Sequence, residues 1–148
     1  MIMNNNLTST DDPSVQKDMS LVQAIYTSRS LIREDQQSQL LAQCREKNPK
    51  NDVSGVLVSH EEKFLQVLEG PASHIRSLIG KIEKDSRHTE FHLIGISPIS
   101  HRNFSDWSMA ALSLDPMSFT QLVNDCMTGD NEALKNIRDF LCYGNRKK

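Results

Sequence analysis

The sequence predicts an α+β fold: a ferredoxin-like β-α-β-β-α-β-β sheet with two helices on one face and a C-terminal α-hairpin on the other. Three observations predict it. Segments of strand composition and segments of helical period alternate in this order between Leu21 and Leu114. Two of the strand segments are separated only by Glu61-Glu62, which reads as a hairpin. Two amphipathic stretches then close the chain and supply a cover for the sheet face that the earlier helices leave bare.

Each element has its own signal. Residues 1–18, rich in Asn, Ser, Thr and Asp and without periodicity, are expected to be a disordered leader. "LVQAIYTS" (21–28) is the first strand, β-branched and aromatic. "REDQQSQLLAQCREKN" (33–48) has helical composition, with Leu40, Leu41 and Cys44 at helical spacing and Asn48-Pro49 as its stop. "DVSGVLVSH" and "KFLQVLEG" form the hairpin. "PASHIRSLIGKIEKDSRH" (71–88) is a second helix, opened by Pro71 and lined by Ile75, Leu78 and Ile82. "FHLIGISPIS" and "DWSMAALSL" are two further strands around the polar turn "HRNFS". The closing hairpin carries Phe119, Leu122, Val123 and Cys126 on one stripe and Leu134, Ile137 and Leu141 on the other, with Gly129-Asp130 as stop and cap. The domain expectation is therefore 19–113 for the sheet and its helices and 114–148 for the hairpin.

Composition excludes several classes. A net charge of −2 leaves no basic surplus to track a phosphate backbone, so no nucleic-acid partner is expected. No apolar run approaches the roughly 20 residues of a membrane span, and no signal-peptide core opens the chain, so a cytoplasmic protein without a membrane partner is expected. Cys44, Cys126 and Cys142 form no C-x-x-C and are odd in number, against a disulfide framework. The histidines at 60, 74, 88, 92 and 101 lack metal-ligand spacing, so no metal is expected. No glycine-rich phosphate loop or nucleophile elbow occurs.

Against this ordinary background one residue stands out. In "KFLQVLEG" side chains alternate, so Phe64, Gln66 and Leu68 share a face, and that face should be buried. A buried amide without partners costs roughly 1–3 kcal/mol. First and third strands are neighbours in a ferredoxin-like sheet, which brings Tyr26 within reach of Gln66, yet leaves amide valences over. Tyr26 needs a partner for its own phenol. Trp107 and Met109, at i and i+2, share one face of the last strand.

"LVQAIYTS", "NPKNDVSGVLV", "FLQVLEG", "DSRH" and "NFSDWSM", in this order and at these intervals, resemble the BLUF domain, the blue-light sensor that uses FAD. The resemblance covers residues 20–113, and the two closing helices are similar to those of short members without an attached output enzyme. It implies a non-enzymatic photoreceptor with non-covalent FAD. It implies that Tyr26 gives an electron and then a proton to the excited flavin, and that Gln66, lying between them, rearranges its hydrogen bonds and shifts the absorption to the red. Trp107 and Met109 match the pair that responds to the glutamine. Asn48, Lys47, Arg87, His88 and Lys81 fall among the polar cofactor-binding positions, and Leu40 and Ile82 fall where the two helices sandwich the ring. Lys47 departs from the Asn or His that many members carry there. The implied output runs through the last strand and C-terminal helices to a downstream signalling protein, from a homo-oligomer. Two alternatives stay open: a light-insensitive interaction module of the same fold, and a ferredoxin-like small-molecule binder or acylphosphatase-type hydrolase. The latter would want a phosphate cradle that "YTSRSLIRED" does not provide.

Overall fold

A computed structural model describes residues 18–130 and 132–146. Residues 1–17, most of the expected leader, lie outside that range. Asp18 belongs to the fold, because its carbonyl accepts from Ser73 N at 2.9 Å, next to a 2.8 Å bond from Ala72 N to the Ser20 carbonyl. Those two amides open a helix and need acceptors from outside it.

The strands are β1 (Leu21–Ser30), β2 (Ser54–His60), β3 (Lys63–Pro71), β4 (His88–Pro98) and β5 (Ala110–Ser113). The helices are α1 (Glu34–Lys47), α2 (Ala72–Glu83), α3 (Pro116–Met127) and α4 (Glu132–Arg146), with a 3-10 turn at Asn48–Asn51. Sheet order is β4-β1-β3-β2-β5. β1 pairs antiparallel with both β3 and β4, β2 pairs antiparallel with β3, and β5 joins β2 in parallel. This is the expected mixed sheet of a ferredoxin-like α+β fold.

Alternation divides the core in two. Val22, Ala24, Tyr26, Leu57, Phe64 and Leu68 face α1 and α2 and pack on Leu40, Ile75, Ile79 and Ile82. Val56, Val58, Leu65 and Val67 face the other way, onto Phe119, Leu122, Cys126 and Leu134 of the C-terminal hairpin. Gly129 supplies the left-handed turn between α3 and α4 at φ 83°, and Asp130 accepts from Glu132 N at 3.0 Å. Gly55 serves a different need. A methyl group there would lie 2.0 Å from the Val67 carbonyl oxygen, so only glycine lets β2 and β3 pair at this point. Gly55→Ala is expected to lower the free energy of unfolding by about 3 kcal/mol, read as a shifted denaturant midpoint.

Two elements differ from the sequence expectation. α2 ends at Glu83, so Arg87 and His88 do not sit on a helix C-terminus: Arg87 lies in the following turn and His88 opens β4. The last strand is only Ala110–Ser113, because its parallel pairing with β2 starts at Val56↔Ala110. Residues 106–109 are irregular, and Trp107 and Met109 do not share a strand face. Met109 joins the core under α1 and α2, whereas Trp107 packs on the opposite cluster.

Candidate functional site

The register of β1 and β3 sets Tyr26 directly opposite Gln66. Both are buried. The Tyr26 phenol donates to Gln66 Oε1, and burial pushes that phenol above its ordinary pKa range, so it stays protonated. Gln66 Nε2 lies 3.3 Å from Met109 Sδ. Thioether sulfur is a weak acceptor, so one end of the amide is firmly held and the other is held weakly.

Around this pair stand Phe91, with its ring 5.1 Å from that of Tyr26, and His88, at 6.5 Å. His88 Nε2 lies 2.6 Å from the Ile82 carbonyl. A carbonyl only accepts, so Nε2 carries the proton, and in the neutral ring Nδ1 is left as an acceptor. That Nδ1 is buried with no partner, and so is Ser28 Oγ. Both residues line a cavity of about 10 Å³ with Leu40, Phe64 and Arg87. A second of about 10 Å³ is lined by Gln66, Cys44, Leu41 and Leu57, and Leu40 and Gln37 border both. A groove of about 520 Å³ beside α1 shares Gln37 with each of them. Two orphaned polar atoms and an amide with one weak contact, beside the apolar Leu40 of α1, supply the hydrogen-bonding set that the edges of a planar ring need.

The remaining expected residues divide. Leu40 and Ile82 are both buried in the cluster that contains Tyr26. Asn48 is buried at the end of α1, where Nδ2 donates to the Ser108 carbonyl at 2.7 Å. Arg87 turns to Asp85, with its Nη2 2.6 Å from the carboxylate, and these bonds hold the Asp85 carboxyl well below its usual range. Lys47 and Lys81 are half-buried at the ends of their helices; partial desolvation, and then Lys47, depress the Lys81 ammonium. Trp107 is not brought to Gln66. Sequence reasoning missed Ser28 and Cys44, and also Glu69, which is fully buried on the other face of β3. The alternation that exposes Gln66 as anomalous applies equally to Glu69, two positions beyond Val67 among Leu65 and Val67. Among the described residues no cluster suited to a metal ion occurs, and no helix is long and apolar enough to cross a membrane.

The family described as sensors of blue-light using FAD, BLUF, matches residues 21–110. The chain belongs to the BLUF family. The BLUF match takes in Tyr26, Gln66, His88 and Met109. The domain is 29% identical over 103 residues to the photoactivated adenylate cyclase subunit beta of Euglena gracilis, covering 67% of this chain and 12% of that protein. It is 25% identical over 135 residues to the subunit beta-like protein FB of the same organism, with 87% and 16% covered. The chain thus spans less than a fifth of the length of these relatives. Among solved structures, BlrB, a BLUF protein in its dark state, superposes with a TM-score of 0.67 at 26% identity, over 86% of this chain and 98% of BlrB. BlsA in its photo-activated state gives 0.61 at 29% identity, over 76% and 81%. BLUF domains are sensors rather than enzymes, and the cyclase activity named above is that of the relatives.

Proposed function

We propose that this BLUF domain is a blue-light photoreceptor that binds FAD between α1 and α2 and switches through Gln66. The observation that carries the reading is the buried chain Tyr26–Gln66–Met109, an amide held strongly at one end and weakly at the other. When bound, FAD supplies the chromophore and the electron acceptor. His88 Nδ1 and Ser28 Oγ would meet polar edges of the ring, Nδ1 accepting from an N–H, while Leu40 and Ile82 flank its faces. Lys47, Lys81 and Arg87, with Asn48, would serve the rest of the cofactor.

Tyr26 is the donor of the electron and proton: burial keeps its phenol protonated, and that O–H already donates to Gln66 Oε1. While the phenol has given up its electron and proton, Oε1 would lack its donor and the amide would be free to turn or to change tautomer; the return of both to Tyr26 would restore the phenol and leave the amide rearranged. Its other end breaks only the contact to Met109 Sδ, so the two arrangements lie close in energy. Met109 directly precedes β5, and β5 leads through Leu114 into α3. This gives a path from the amide to the C-terminal helices, where a downstream signalling protein or a second copy of the chain would read the state. Phe140 and Tyr143, each 60% exposed on α4, suit such a contact.

The test is the visible spectrum of the purified chain, in the dark and after a blue flash. A flavin band that moves reversibly to the red supports the reading. A flavin band that stays fixed, or a colourless protein that refuses added FAD, overturns it.

A further inference from the structure

Glu69 has a side chain with no exposure, and among the described residues its carboxyl oxygens meet donors. Its Oε1 accepts from Asn103 N at 3.0 Å and Phe104 N at 2.9 Å; its Oε2 accepts from Asn103 N at 3.1 Å and Gln23 Nε2 at 2.9 Å. Two of these donors are backbone amides of an irregular segment that no strand ladder satisfies. The same segment crosses the sheet: Phe104 is buried in the cluster under α3 and α4, whereas Met109 is buried under α1 and α2. Its far end has separate holds, from Arg45 Nε to the Met109 carbonyl at 2.9 Å, Asn48 Nδ2 to the Ser108 carbonyl at 2.7 Å, and Gly55 N to the Trp107 carbonyl at 3.1 Å. Beside the near end, Arg102 donates to Ser54 Oγ at 2.9 Å and to the Asp52 carbonyl at 2.8 Å.

One strand therefore grips this segment twice. Gln66 touches its far end on one face of β3, and Glu69, three residues on and on the other face, holds its near end. We propose that Glu69 is a positioning residue for the photoswitch: it fixes the 103–104 end of the arm, so that Met109 is presented to Gln66 in one place. With those two amides released, the near end keeps only the Arg102 bonds and the burial of Phe104, the segment is held less firmly, and the amide loses a sharply defined partner for its weak end. The consequence for light sensing rests on the photoreceptor reading above; the anchoring itself does not.

Hydrogen exchange in the dark on the full chain with bound flavin tests the anchor. In the wild type the amides of Asn103 and Phe104 are expected to exchange at least tenfold more slowly than those of Ser105 and Asp106. In Glu69→Met, which keeps the volume but accepts nothing, that protection is expected to fall at least tenfold, and hydrogen peroxide to oxidise Met109 at least fivefold faster. Glu69→Gln is expected to stay within threefold of wild type on both readouts, because Oε1 still accepts from both amides and Nε2 finds Gln23 Oε1 once that amide turns over. Wild-type amides at 103 and 104 as fast as their neighbours would overturn the anchor even if Glu69→Met does not fold, and so would a folded Glu69→Met with wild-type protection. The spectroscopic arm is separate: recovery after a blue flash is expected to change at least fivefold in Glu69→Met and less than twofold in Glu69→Gln. Anchoring with unchanged recovery would sink the positioning role. A wild type without any red shift would sink the photoreceptor reading, and the positioning role with it, while the exchange data still decide the anchor.

Discussion

Gln66→Leu is expected to abolish the light-induced red shift completely while leaving flavin bound. Leucine fits the site sterically: Phe64 and Leu68 flank it on the same face, and the surrounding cluster is apolar. What it removes is the acceptor for the Tyr26 phenol and the donor towards Met109. A buried hydroxyl without its partner costs roughly 1–3 kcal/mol, and the burial of an apolar side chain offsets part of that. Stability should therefore fall by no more than about 2 kcal/mol, too little to empty the site. The dark spectrum reports that the cofactor is present, and the flash reports that nothing moves. A reversible shift of normal size in this variant would remove Gln66 from the switch. Loss of the cofactor itself would instead make Gln66 a binding residue and nothing more.

How far the sequence led is clearest at particular residues. Tyr26 and Gln66 were legible because a strand has a period of two and because β1 and β3 are neighbours; period and topology together place one opposite the other. The C-terminal stripes were legible for the same kind of reason, since Phe119, Leu122 and Cys126 recur at helical spacing and are buried as that spacing requires. The segment around Trp107 was not legible. "DWSMAALSL" opens with the alternation of a strand over 106–109, yet only its residues 110–113 pair, because Glu69 and Asn48 hold 103–108 in an irregular path by bonds to backbone atoms. Backbone contacts leave no trace in side-chain periodicity, and that is why Trp107 and Met109 read as one face and lie on two. His88 was misplaced for a related reason. The run "EKDSRH" has helical composition, and the chain leaves the helix at Lys84 so that His88 can begin the strand beside β1.

The second large effect is expected from Tyr26→Phe, which should also abolish the red shift, but by a different route that a double-mutant cycle can separate. Phenylalanine keeps the ring beside Phe91 and His88, so the packing of β1 survives. It lacks the hydroxyl and the readily oxidised phenol, so no proton or electron leaves this position. In the dark, Gln66 Oε1 then loses its donor and is left buried, again at a cost of roughly 1–3 kcal/mol. Each single variant thus strands one half of the same hydrogen bond. The double variant Tyr26→Phe with Gln66→Leu strands neither half, because both polar groups are gone. Its destabilisation should be smaller than the sum of the two singles by about 1 kcal/mol or more. Chemical denaturation of the four proteins measures this coupling without any light. Strict additivity would mean that Tyr26 and Gln66 are not energetically joined, and the proton path from the phenol to the amide would have no basis.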